Sequence, residues 1–238
     1  MKVRGVIFDV GGTLIWSNHD KFEEACAWFA VNAFRSHGFR GDSGALWREL
    51  LAVRRDFSKE GLSYRQIHTT RWAIGEVAAR HKLTLENELL EEIENAFVTP
   101  EAHGSVALPG ICELIWWLAG RVKLELVSNT RSHLLVEKTL EHLGVREVFD
   151  LLVTSTSCGW RKPSPHIFQR VLDAWGLPAD QIVMIGDSPT KDSAGAKALG
   201  MRTIWLSLDA PETSSPADAE AHTPLDIPGM LSLWGVAN

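Results

Sequence analysis

Three short apolar runs, each ending in polar side chains, constrain this 238-residue chain more than any other feature. Val6-Ile7-Phe8 runs into Asp9, Leu124-Glu125-Leu126-Val127 into Ser128 and Asn129, and Ile182-Val183-Met184-Ile185-Gly186 into Asp187. Runs this short and apolar suit strands of a parallel sheet buried on both faces, with helices packed on either side. A carboxylate at such a strand end lies on the carboxyl edge of the sheet, where α/β proteins bind ligands. Strand and helix patterns alternate through the second half of the chain. Helices are expected over Ser132–Leu143, stopped by Gly144, over Pro165–Trp175, closed by Gly176, and from Ala194 to Leu199. Further strands are expected over Val148–Thr154 and Met201–Leu206, and Asp209–Pro228 reads as a surface loop with one short ordered piece.

Residues 16–104 read differently. Apolar residues recur at helical spacing over His19–His37, Asp42–Glu60, Ser63–His81 and Thr84–Val98, the last expected to end before Pro100. Four helices with short joins suggest a small antiparallel bundle inserted after the first strand. The expected fold is therefore α/β, a doubly wound parallel sheet with an inserted α-helical domain. Residues 1–15 and 105–238 would form the α/β core, and 16–104 the helical insertion.

Composition narrows the function. A net charge of −6 offers no broad attraction to nucleic acid or to anionic membranes. No run of about twenty apolar residues and no signal-peptide pattern is seen, so no membrane partner is expected. Cys26, Cys112 and Cys158 are few, odd in number and widely spaced. They point to a reducing, cytoplasmic setting and not to a disulfide frame or a zinc site. The ten Trp residues suggest no particular function.

The chemistry lies in four segments in a fixed order. Asp9-Val10-Gly11-Gly12-Thr13 is an acid in a glycine turn with a hydroxyl, and Val127-Ser128-Asn129-Thr130 ends a strand in a hydroxyl and an amide. Gly159-Trp160-Arg161-Lys162-Pro163 sets a lysine in a proline-bounded loop, and Gly186-Asp187-Ser188-Pro189-Thr190-Lys191-Asp192 holds two carboxylates after an apolar strand. Taken singly, each has a plain structural reading: Asp9, Asp187 and Asp192 as helix caps, Ser128 as a turn residue, Lys162 as a solvated lysine. Together they resemble the haloacid-dehalogenase-like (HAD) hydrolase superfamily, in its helical-cap, phosphatase-like subgroup. The resemblance covers nearly the whole chain.

The resemblance implies a phosphoryl-transfer site. Asp9 would be the nucleophile, with Lys162 as its catalytic partner, and Thr13, Ser128, Asn129 and Lys162 would cover the oxygens of a substrate phosphate. Mg²⁺ would be held by Asp9, the Gly11 carbonyl and Asp187, with Asp192 binding the metal's waters or orienting Lys162. Gly11 departs from the family pattern, because it occupies the place of a second Asp that serves as general acid and base. Three functions follow: a Mg²⁺-dependent phosphatase acting on a small phosphorylated metabolite, a phosphate- or metal-binding regulator, or a carbon–phosphorus or carbon–halogen hydrolase. The intact Gly-Asp-Ser-x-x-x-Asp loop favours Mg²⁺ and argues against dehalogenation. Phosphonate hydrolysis in this family needs a lysine from the cap, for which Lys21 and Lys59 are candidates. Trp16, Asn18 and His19 are the candidate substrate contacts leaving the catalytic turn, whereas Arg54, Arg55 and Lys59 read as a solvated helix face. The expected partner is a small phosphorylated molecule, and the chain is expected to be a monomer or homodimer.

Overall fold

The structure is a computed structural model that describes residues 2–16, 19–56, 64–65, 68–208 and 214–237. Two compact units are present. One takes Met1–Ser17, Val106–Thr130 and Leu143–Asn238, and the other takes Asn18–Ser105 and Arg131–His142.

The first unit is built on a six-stranded sheet. Its strands are β1 (Gly5–Phe8), β2 (Lys123–Ser128), β3 (Leu151–Thr154), β4 (Ile182–Gly186), β5 (Arg202–Leu206) and β6 (Ala219–Ala221). They lie in the order β3-β2-β1-β4-β5-β6, and every neighbouring pair is parallel; the same unit holds helices α5 (Ile111–Leu118) and α9 (Ala194–Lys197). All four residues of β1 and all five of β4 are buried, which is why these runs do not alternate with polar residues. Ile7, Val127, Val153 and Met184 share one core with Ile167, Phe168, Val171 and Trp175 of helix α8 (Pro165–Trp175). The Trp175 ring lies so close to β1 that a Cβ on Gly5 would sit 2.3 Å from it. Helix α8 begins with Pro at its first turn and ends at Gly176, whose φ of +61° is the left-handed cap that glycine adopts most readily.

The chain order of the strands fixes where a ligand belongs. From β1 the sheet grows to one side through β2 and β3, then to the other through β4 and β5. The gap between β1 and β4 is the switch point of the sheet, where loops leaving the carboxyl edge diverge and leave a crevice. Phe8 is level with both Leu126 and Ile185, so the residues after them emerge side by side on that edge.

The second unit is all helical among its described residues. It holds α1 (Glu23–Ser36), α2 (Ser43–Asp56), α3 (Thr70–Arg80), α4 (Asn87–Gly104) and α6 (His133–His142). Its core joins Cys26, Ala30 and Phe34 of α1, Leu46 and Leu50 of α2, Ile74 and Val77 of α3, and Ile93 and Phe97 of α4, with Leu134 and Leu135 of α6 packed against them. Burying one such aliphatic side chain is worth about 1.5–3 kcal/mol, so this unit has a substantial core of its own.

The helix expected to stop before Pro100 does not stop there: α4 runs through Pro100 to Gly104. Pro removes one backbone donor, but Phe97 and Val98 before it and Glu101 and Ala102 after it are all buried. Packing on both sides of the break therefore outweighs local propensity. Gly104 ends this helix against Phe22, where a Cβ would sit 2.1 Å from the ring. The helix expected over Ser63–His81 begins at Thr70, capped by the Thr69 hydroxyl, which accepts from the Trp72 amide. Ser63 and residues 66–67 lie outside the described residues, as does the expected end of α2 past Asp56. In the expected loop Asp209–Pro228, Ala219–Ala221 forms the edge strand β6, and a short helix, α10 (Ile227–Leu233), starts at its end.

Candidate active site at the carboxyl edge

The turn after β1 folds back on a single carbonyl. Val10 O accepts from Leu14 N at 2.8 Å and from Ile15 N at 3.1 Å, and Gly12 N donates to Ile15 O at 2.8 Å. Of the paired glycines, Gly12 carries the positive φ, +75°, and a Cβ there would lie 2.2 Å from Asp187 Oδ2. Gly12 is thus demanded twice, by its backbone and by the approach of a carboxylate. Gly11 pairs with Ile15 in an isolated bridge and has no such left-handed conformation.

Lys162 is the centre of the cluster. Its ammonium lies 2.7 Å from Asp9 Oδ1 and 2.6 Å from Asp192 Oδ1. The side chains of Lys162 and Asp192 are each only 1% exposed, whereas that of Asp9 is 13% exposed, so of the three only Asp9 is open to an incoming ligand. Burial by itself would lower the lysine's pKa, but the carboxylates of Asp192 and Asp9 outweigh it and hold the ammonium above its usual value. Asp192 is fixed in turn by Ser188 N, which donates to its Oδ2 at 3.0 Å. A Cβ at Gly186 would meet the Asp192 carboxyl at 2.4 Å, so this glycine lets the loop carboxylate fold onto the end of β4.

Asp187 completes the group. One oxygen from each of Asp9, Asp187 and Asp192 lies within 4.8 Å of the others. Burial, followed by the negative charges of Asp9 and Asp192, pushes the Asp187 carboxyl up to about 7. Burial also raises Asp192, with Lys162 pulling against it. Three carboxylates facing one ammonium leave an excess of negative charge on oxygen donors alone, which is the donor set that Mg²⁺ or Ca²⁺ takes. The residues present therefore fit a hard divalent cation.

The other expected residues are distributed around this cluster. Thr13 is fully buried, and its hydroxyl oxygen finds no hydrogen-bond partner among the described residues. Ser128 is buried at the end of β2. Asn129 turns its amide onto the backbone of Lys162: Nδ2 donates to Lys162 O at 3.0 Å, and Lys162 N donates to Oδ1 at 2.7 Å. Trp16 is 45% exposed, with its amide donating to Val106 O at 3.1 Å. Lys21 is exposed, while Asn18, Lys59 and the side chains of His19, Arg54 and Arg55 lie outside the described residues. Cys158 is half-buried, its thiol donating to Trp160 O. Gly12 and Gly186 were not singled out from sequence as close-approach positions; the paired glycines and the glycine before Asp187 were the only signals.

A parallel α/β sheet here gathers a reachable aspartate, a buried lysine and a group of carboxylates that could hold a cation at its switch point. Residues 3–200 match the haloacid dehalogenase-like hydrolase family, and the chain belongs to it. It is 33% identical over 129 residues to the pyrimidine 5'-nucleotidase YjjG of Escherichia coli (strain K12), a match covering 52% of this chain and 57% of that enzyme. The chain thus spans little more than half the length of this relative. Among solved structures it resembles YfnB of Bacillus subtilis, a HAD hydrolase crystallised with magnesium, at a TM-score of 0.60 and 22% identity over 97% of this chain and 99% of that one. It also resembles a 2-haloacid dehalogenase of Pseudomonas syringae, at a TM-score of 0.66 and 22% identity over 98% of this chain and 100% of that one. At this identity both show a shared fold and nothing finer. No helix among the described residues is long and apolar enough to cross a membrane.

Proposed function

We propose that the protein is a Mg²⁺-dependent phosphatase acting on a small phosphorylated metabolite through an aspartyl-phosphate on Asp9. The observation that carries this reading is the bridge of Lys162 between Asp9 and Asp192, beside Asp187, at the sheet's switch point. An Asp9 carboxylate oxygen attacks phosphorus, the bond to the leaving oxygen breaks, and its electron pair departs with the leaving group. Water then attacks the aspartyl-phosphate, releasing phosphate and restoring the carboxylate. Lys162 steadies the nucleophile and offers positive charge to the phosphoryl oxygens, and the unpaired Thr13 hydroxyl is a ready donor to one of them. Asp9, Asp187 and Asp192 would hold Mg²⁺, which supplies charge neutralisation and polarises the phosphoryl group.

Gly11 shapes the expected substrate preference. With no side chain two residues after the nucleophile, leaving groups that depart as stable anions are favoured. The same gap supports a second reading, a regulator that binds phosphate or metal without turnover. A third, carbon–phosphorus or carbon–halogen hydrolysis on Asp9, would use the same nucleophile but has less support from the carboxylate-rich metal group. One experiment separates the three. Purified protein is incubated with aryl and acyl phosphates, with a phosphonate and with a haloacid, each with and without Mg²⁺, beside Asp9→Asn. Mg²⁺-dependent phosphate release that disappears in Asp9→Asn is expected. Release equal in both proteins defeats the phosphatase reading.

A further inference from the structure

The Asn129 amide is placed to act on Lys162 and not only on a ligand. Its two bonds to one residue's N–H and C=O work like a rung between paired strands, because both partners must lie on the same side of the Lys162 backbone. A long lysine side chain has several rotatable bonds, so its ammonium is well aimed only if its backbone is fixed first. Here that ammonium must meet two carboxylates at once, at 2.7 and 2.6 Å.

The turn holding Asn129 is itself pinned. The next residue, Thr130, receives a bond from the fully buried Ser155 hydroxyl on its carbonyl at 2.9 Å and gives its amide back to the same oxygen at 3.0 Å. Asn129 is thus a rigid bracket mounted on β2 and the start of α7 (Ser155–Cys158), reaching across to the lysine loop. In a planar amide the oxygen and the N–H beside it are spent on Lys162. The remaining N–H projects away from that pair.

We propose that Asn129 is a positioning residue, which sets the Lys162 ammonium between Asp9 and Asp192 and influences turnover through that lysine instead of by binding the phosphate. This rests on the phosphatase reading above. The test is a double-mutant cycle of Asn129→Ala and Lys162→Met, read as kcat and KM for an aryl phosphate and as the calorimetric Kd for orthophosphate, both with Mg²⁺ present. Asn129→Ala alone should lower kcat on the order of tenfold to a hundredfold with little change in KM, the scale of a misplaced catalytic group. Added to Lys162→Met, it should cost nothing more, because the group it positions is already gone. Thermal melting confirms that each variant is folded. Losses that multiply in the double mutant, or a rise in KM at constant kcat, would mean direct phosphate binding and overturn the proposal. Wild-type turnover no faster than Asp9→Asn would instead sink the phosphatase reading. The orthophosphate cycle would then decide the role of Asn129 on its own, by the same additivity.

Discussion

Glu125 is the third residue of β2 and is fully buried, with neither carboxylate oxygen paired to a side chain. Burial pushes its pKa from 4.5 up to about 8, with Asp150 adding to the rise and the Leu126 amide and Arg146 opposing it. The folded chain therefore binds a proton that the unfolded chain releases. The stability that goes with that proton is complete below about pH 4.5, declines as pH rises, and is spent above about pH 8. At roughly 1.4 kcal/mol per pH unit, the loss between pH 5.5 and 8.5 is about 3 kcal/mol. Glu125→Gln has nearly the same shape and cannot ionise, so it should remove this slope, and its stability relative to wild type should rise by about 3 kcal/mol between pH 5.5 and pH 8.5. The assay is urea unfolding of both proteins at the two pH values without divalent metal, followed by tryptophan fluorescence. Asp187 and the other titrating groups are shared by the two proteins, so they cancel in the difference. An equal pH slope in wild type and Glu125→Gln would refute the argument.

Gly12→Ala should lose Asp9-dependent turnover and melt lower, because the new Cβ meets the Asp187 carboxylate at 2.2 Å on a backbone with φ of +75°. Gly11→Asp carries no such backbone strain and should raise the rate for alkyl phosphates, at most by the acid–base contribution of about 10²–10⁴-fold; equal dependence on leaving-group basicity in both proteins would show that another residue already supplies the proton. Glu94 is buried on α4, accepting from Ser132 Oγ at 2.7 Å with Arg71 Nε 3.3 Å away. Replacing it with Leu removes both contacts, and denaturant melts should show a loss of about 1–3 kcal/mol.

Strands β1 and β4 were legible because they are buried on both faces and apolar along their length, with the polar residue that follows each at the edge. Val6–Phe8 and Ile182–Gly186 declare themselves in this way. Helix α8 was legible to the residue, since Pro165 and Gly176 punctuate it for opposite reasons. Strand β6 was hidden, because Ala219-Glu220-Ala221 has little intrinsic strand character and is held by its pairing with β5. The run of α4 past Pro100 was hidden for a related reason, as the contacts that hold it come from α1 and α6, which are distant in sequence. At the site, residue types pointed to the chemistry, but the contact partners were out of reach. Nothing local in Asn129 says that its amide is turned onto a backbone 33 positions away.

The helical unit is assembled from two separate stretches of chain, and this limits how the protein can be taken apart. Asn18–Ser105 excised as a fragment would lack α6, whose Val136 and Leu140 are buried and whose Leu134 and Leu135 close the helical core. Such a fragment would present a raw apolar seam and associate with whatever could cover it. A graft of this unit onto another sheet would need to carry the segment after Thr130 as well. That segment starts at Arg131, two residues beyond Asn129, so the junction of such a graft would fall beside the lysine bracket. Exchange of the insertion between relatives is therefore not the swap of a single continuous segment. The unit's second stretch begins two residues after Asn129, so where it is cut bears on the turn that holds the Lys162 backbone.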